Sequence, residues 1–399
     1  MSYYTAKEKL WTKDFILDTG INFLVYLIYY LLMAIIAVVT KEELHATLAE
    51  AGLASGIFIV GTLVARLIVG EQIEMIGRRR MLWFGIIVYF ITTLFYFGIT
   101  SLTSMYFIRL LNGLGYGIVS TATNTIIAGC IPDARRGEGI NYYGLSTSVA
   151  AAMGPFIGMF MMTRTSFDVI IGFCAALLII CIIGCALLHV KEINLSEADM
   201  ENLHKLKVGN FIEFRVFSIS MIGFWMGVAY SSVLSFLAAY AKELDLITAG
   251  TFFFVVYALV ITVSRPATGI IFDRKGENYV MYPCFICLAL GLGMLSITHG
   301  SFMLLLAGVF VGLGYGTFMS NGQAICIKLT PAARIGVAVS TYFVSLDLGL
   351  GVAPYVLGEL RPLLGFSGIY TLCAVISLIC FIMYYFMYDR KQHTAHAHA

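Results

Sequence analysis

Charged side chains are scarce in this chain. Asp, Glu, Lys and Arg make up 12% of its 399 residues, whereas 60% are hydrophobic. A water-soluble surface carries more charge than that, about 25–35%, so an ordinary soluble domain is excluded. Other features are absent altogether. No G-x-x-x-x-G-K-[ST] phosphate loop occurs, and no nucleophile, base and orienting group stand in a recognisable catalytic set. The pair Cys284-x-x-Cys287 has metal-ligand spacing but no second pair or nearby histidine cluster. His393, His396 and His398 lie in a polar tail. The nine cysteines fall mostly inside apolar runs, as small buried hydrophobes do. We therefore expect no enzyme, no cofactor, no metal site and no nucleic-acid partner.

What the chain has instead is long apolar runs. Val169–Leu188 and Ile369–Tyr388 each have about the 20 residues that cross a bilayer as a helix. The first run, 15–39, is longer than a signal-peptide core and is followed by no small-residue cleavage site. Twelve spans are expected, near 15–39, 51–70, 81–99, 104–129, 139–162, 169–189, 213–240, 249–271, 279–298, 302–327, 336–360 and 367–388. Backbone groups in lipid must be satisfied within the segment, so each span is a helix and the fold class is all-α membrane protein.

The basic residues are distributed unevenly. With the N-terminus inside, Lys7, Lys9, Lys13, Arg78–Arg80, Arg135, Arg136, Lys191, Lys205, Lys207 and Arg215 are cytoplasmic. So are Arg274, Lys275, Lys328, Arg334, Arg390 and Lys391, and only Lys41, Arg164, Lys242 and Arg361 face out. The positive-inside rule then puts both termini in the cytoplasm, with a bacterial inner or plasma membrane as the expected location.

The sequence repeats itself at a shift of 199 residues. Arg66 falls on Arg265, Gly70 on Gly269, Gly77 on Gly276, and the GLGYG of 113–117 on that of 312–316. Pro132, Arg135, Tyr143, Ser146 and Pro155 fall on Pro331, Arg334, Tyr342, Ser345 and Pro354. Two six-helix halves of like orientation follow, 1–190 and 213–399, joined by a polar linker over 191–212. GLGYG contains the G-x-G of phosphate loops, yet it lies inside a span and follows no strand. Glycines four apart on one helix face instead let helices approach closely. Tyr116 and Tyr315 are expected to point away from those contacts.

Between spans two and three lie Gly70, Glu74, Gly77, Arg78 and Arg79; between eight and nine lie Gly269, Asp273, Arg274 and Gly276. Glycine allows the sharp turn, and the acid suits a neighbouring helix N-terminus or an arginine there. These stretches resemble the major facilitator superfamily signature G-x-x-x-D-R-x-G-R-R in two imperfect copies. The first has Glu74 and Met75 for the Asp-Arg pair, and the second ends in Glu277 and Asn278. Arg109-Leu-Leu-Asn-Gly113 resembles that family's R-x-x-x-G element. Gly154-Pro155-x-x-Gly158 is similar to the element of its antiporters, with Asn141, Ala150 and Met159 where glycines recur.

The resemblance implies a transporter whose halves rock around a midplane site, with spans 3, 6, 9 and 12 facing lipid. It also implies a driving ion gradient, protons as coupling partner, a small-molecule substrate, a lipid bilayer environment and a monomer. A drug or metabolite efflux antiporter is the leading expectation; the alternatives are a nutrient or organic-ion symporter and a non-transporting sensor or scaffold.

For coupling we single out Asp347, placed near the midplane where the other repeat has Ser148, and Arg109, expected to meet Asn22 or Asp18 of span one. Asp18 is expected at the interface, and Arg66 and Arg265 are expected to snorkel to the cytoplasmic face. Asn22, Tyr26, Asn112, Asn124, Tyr143, Tyr230, Tyr257, Asn321, Gln323 and Tyr342 are the candidates for the substrate cavity. Such a lining suits an amphipathic, neutral or cationic solute.

Overall fold

A computed structural model describes residues 9–46, 48–162, 164–192 and 211–390, with no strand among them. The terminal histidines and most of the proposed linker lie outside the described residues.

The first half comprises α1 (Lys13–Glu43), α2 (Leu48–Ile76), α3 (Arg78–Leu94), α4 (Leu102–Cys130), α5 (Arg136–Met162) and α6 (Phe167–Leu187). In the second half are α7 (Phe217–Glu243), α8 (Ile247–Lys275), α9 (Asn278–Ser296) and α10 (Ser301–Lys328). Then come α11 (335–364) and α12 (366–384), which part only at Gly365, a residue with φ of 63°. Except for α4, these helices coincide with stretches long and apolar enough to cross a membrane. In α4 the polar residues Arg109, Asn112, Ser120, Thr121, Thr123, Asn124 and Thr125, all buried, lower the hydropathy.

Local chemistry sets the ends. Thr12 caps α1 by accepting from the Phe15 amide, and Ser101 and Ser104 form a capping box at the start of α4. Gly77 and Gly276, equivalent under the repeat, turn α2 into α3 and α8 into α9 with φ of 100° and 94°. Only glycine takes those values without strain, as the sequence reading requires.

Apolar packing forms two cores. One is drawn from α1–α6. The other is drawn from α7–α12, together with Phe15, Ile127, Ile131, Ile140 and Tyr143 of the first half. On α3, α6, α9 and α12, exposed Phe84, Ile180, Leu290 and Ile379 present apolar faces, as Val60 of α2 and Val263 of α8 also do.

The glycine spacing works as a packing device. A Cβ on Gly113 would lie 2.1 Å from Phe58 O, and one on Gly117 would lie 2.7 Å from Ala65 Cβ, both on α2. In the second copy, Gly316 meets Ile261 of α8 and Gly314 meets Leu288 of α9. The copies differ in one respect: residues 312–316 form a π-turn, whereas 113–117 remain regular α-helix.

Candidate functional site

The halves are joined at the end of the bundle that carries the basic loops. There Gly70 packs on Ser340, and Gly269 on the Gly137 carbonyl, at distances no side chain would allow. Asp273 accepts from the amides of Gly137 (2.7 Å) and Glu138 (2.8 Å), the first turn of α5. At the equivalent place, Glu74 grips Arg78 at 2.6 Å. Both expected uses of the loop acid are therefore present, one in each copy. Arg78 is buried, and Glu192 accepts from the backbone amides of Arg78 and Arg79 at 2.8 and 2.9 Å. The Arg79 and Arg274 side chains are exposed.

Amides close the same end further in. Gln323 donates to Asn124 at 3.0 Å, and Asn141 donates to Asn321 at 3.0 Å. Buried amides cost free energy unless paired, and here each finds its partner in the opposite half.

Asp347 of α11 lies 3.1 Å from Arg66 Nε of α2. The arginine is buried and stacks on Phe343 at 5.0 Å, whereas the acid side chain keeps 25% of its surface exposed. Arg66 Nε and Nη1 make no aligned hydrogen bond, so charge rather than directional bonding holds the pair. The expectation that Arg66 snorkels is thus corrected: a counter-charge on the opposite half holds it inside. Arg265 does not snorkel either; it is 1% exposed.

Tyrosines surround the pair. In the first half, Tyr29 stacks on Tyr116 at 4.7 Å, and Tyr26 meets Tyr116 edge-on at 5.5 Å. In the second, Tyr230 stacks on Tyr315 at 4.0 Å and on Tyr257 at 5.6 Å. Tyr30 packs on Tyr29 at 4.7 Å and lies within electrostatic reach of Tyr257 and Tyr315 of the other half. Of the residues named from sequence, Asp347, Tyr26, Tyr230 and Tyr257 belong here, and Asn124, Asn321 and Gln323 lie at the seam beside it. Tyr29, Tyr30, Tyr116 and Tyr315 were missed. Tyr116 does not point away from the glycine contacts: it packs on Phe58 and Tyr89, the residues that Gly113 and Gly115 approach. Tyr315, by contrast, stacks on Tyr230 of α7. The recurrence of tyrosine in both GLGYG copies was the available signal.

Other candidates pack elsewhere. Asn22 bonds Ser146 at 2.8 Å and accepts from Thr123, tying α1 to α5 and α4. Asn112 donates to Thr92 and Thr93, both at 3.1 Å, tying α4 to α3. Tyr143 is buried in the apolar core, and Tyr342 donates to Met319 O at 3.0 Å. Gly154 and Gly158 press α5 on α1 at Tyr30 and Leu31; Pro155 lies between them in α5.

Two further pairings are corrected. Arg109 reaches Met33 Sδ of α1 (2.9 Å), Ala54 O of α2 (2.9 Å) and the Phe58 ring, not Asn22 or Asp18. Asp18 is fully buried with both oxygens unpartnered, not interfacial. Among the described residues, no group of His, Cys, Asp and Glu is arranged to hold a metal.

This geometry agrees with what the chain is similar to. Residues 19–301 and 256–399 match the family model of the Major Facilitator Superfamily. An uncharacterised MFS-type transporter of Methanocaldococcus jannaschii is 24% identical over 96% of this chain and 97% of its own length. The staphylopine export protein of Staphylococcus aureus is 20% identical over 86% and 88%. Among solved structures, the E. coli fucose:proton symporter FucP in its outward conformation superposes with a TM-score of 0.73. It is 15% identical over 95% of this chain and 99% of FucP. The chain belongs to the major facilitator superfamily and is a multi-pass membrane transporter.

Proposed function

We propose that this transporter exports a small amphipathic solute in exchange for protons, by alternating access, with both termini in the cytoplasm. The observation that carries this reading is the ion pair Arg66–Asp347, which spans the two halves while a quarter of the acid's side-chain surface stays uncovered by protein. The basic end is sealed, so under the positive-inside orientation this conformation opens outward.

A proton arriving from outside neutralises Asp347 and removes the counter-charge that holds α11 against Arg66 of α2. The cross-half amide and helix-terminus contacts then separate, and the tyrosine-lined centre opens to the cytoplasm, where solute enters and the proton leaves. Deprotonation restores the ion pair and recloses the basic end around the bound solute. Only a difference in proton affinity between the two conformations couples the gradient to this cycle. Export is supported by the similarity to the staphylopine export protein and by the GP-x-x-G element of α5. Inverted membrane vesicles test it: accumulation of solute driven by a proton gradient is expected. Proton-driven uptake into right-side-out vesicles, with none into inverted ones, would assign import instead.

A further inference from the structure

The repeat places Arg265 of α8 where Arg66 stands in α2. Their surroundings differ at two positions. Arg66 has Phe343 as a shelf and Asp347 as counter-charge, one helical turn apart on α11. The equivalents on α5 are Gly144 and Ser148, so Arg265 meets neither ring nor acid there. A Cβ on Gly144 would lie 2.3 Å from Arg265 Nη1 and 2.8 Å from Ser320 Oγ, so the bare glycine is what admits both groups.

Arg265 is 1% exposed, and its Nε and Nη1 have no hydrogen-bond partner. Its remaining contact is Nη2 to the Gly316 carbonyl at 3.4 Å, at the end of the π-turn. Ser320 Oγ is likewise buried and unpartnered. The groups facing the guanidinium are Tyr257 on its own helix, Tyr30 on α1, Gly144 on α5, and Gly316 and Ser320 on α10. None is a carboxylate.

An unpaired guanidinium is among the costliest groups to bury. A planar fork of N–H donors beside a hydroxyl suits a carboxylate. We propose that the transported solute carries a carboxylate that binds Arg265 and Ser320, supplying the counter-charge that Asp347 supplies to Arg66. The solute's apolar body lies against Tyr30, Tyr257 and Tyr315. Arg265 lies at the α5–α8 seam, so the carboxylate reaches it when that seam parts at the basic end and is enclosed when it closes. This replaces the neutral or cationic class expected from sequence with anions and zwitterions. It rests on the transporter reading above but not on proton coupling.

The test is thermal stabilisation of the purified full-length protein, with no gradient present. The probes are amphipathic mono- and dicarboxylates, each paired with its methyl ester and a matched amine. At least one carboxylate is expected to raise Tm while its ester and amine do not. Arg265→Gln should weaken the apparent affinity for that carboxylate tenfold or more, and Arg265→Lys should weaken it less. Ser148→Asp, which builds in the missing acid, should raise the ligand-free Tm and abolish the shift, so the test does not depend on Arg265→Gln folding. Stabilisation by ester and acid alike, an unchanged response in Ser148→Asp, or no shift with any carboxylate would overturn the proposal. A carboxylate response that survives when Asp347→Asn removes proton coupling would separate this inference from the mechanism proposed above.

Discussion

Asn124 and Gln323 occupy one position in the two copies of the repeat, and they hydrogen-bond to each other across the halves at 3.0 Å. A contact between equivalent positions lies on the pseudo-twofold axis, so this pair marks the centre of the seam. Asn141 and Asn321 bond nearby at 3.0 Å.

Gln323→Leu leaves the buried Asn124 carbonyl without its partner, a loss of about 1–3 kcal/mol from the sealed state. That is about 5- to 150-fold in the ratio of sealed to open molecules. Spin labels at Arg79→Cys and Arg274→Cys, both exposed at the basic end, should report a longer distance in a larger fraction of molecules. The exchanged pair Asn124→Gln with Gln323→Asn should restore much of the sealed population.

Gly113→Ala would set a methyl 2.1 Å from the Phe58 carbonyl, and Gly314→Ala would set one 2.5 Å from the Leu288 amide. Neither backbone moves without shifting a helix, so each change should destabilise by about 1–3 kcal/mol. Gly20→Ala and Gly293→Ala meet nothing within 4 Å and should hold or gain stability, by about 0.4–1 kcal/mol. Thermal unfolding of the four proteins in detergent checks the contrast.

Asp273→Asn keeps an acceptor at the α5 terminus but removes the charge that complements its dipole, worth about 0.3–1 kcal/mol and up to about 2 when partly buried. Hydrogen exchange at the Gly137 and Glu138 amides should accelerate, while exchange within α4 stays unchanged. Equal acceleration in both regions would show general loosening instead of a released latch.

The spans, the duplication and the turn glycines were legible in sequence because each is a local consequence of lipid, of backbone geometry or of an internal match. The rotation of each helix was not. Apolar residues cover both the lipid face and the buried face, so periodicity does not say which tyrosines look inward; Tyr29 and Tyr30 were passed over for this reason. Asn22 and Asn112 were read as cavity residues because the hydroxyls that satisfy them stand on other helices. The partner of Arg66 is remote in sequence, on the other half, and an arginine one helical turn before Gly70, where the apolar run ends, is long enough to snorkel; the helix in fact continues to Ile76. Asp347 was identified because an acid in mid-span is rare enough to stand out alone.

Asp347 as the proton-sensitive tie between the halves is tested most directly by distance measurement at the basic end as a function of pH, with no substrate needed. In the otherwise wild-type protein labelled at Arg79→Cys and Arg274→Cys, acidification should neutralise Asp347 and shift the population from the sealed to the open distance. In Asp347→Asn the open distance should dominate at every pH, because no charge remains to titrate. If Asp347→Asn opens and closes over the same pH range as the wild type, Asp347 is not the group that couples protons to the movement.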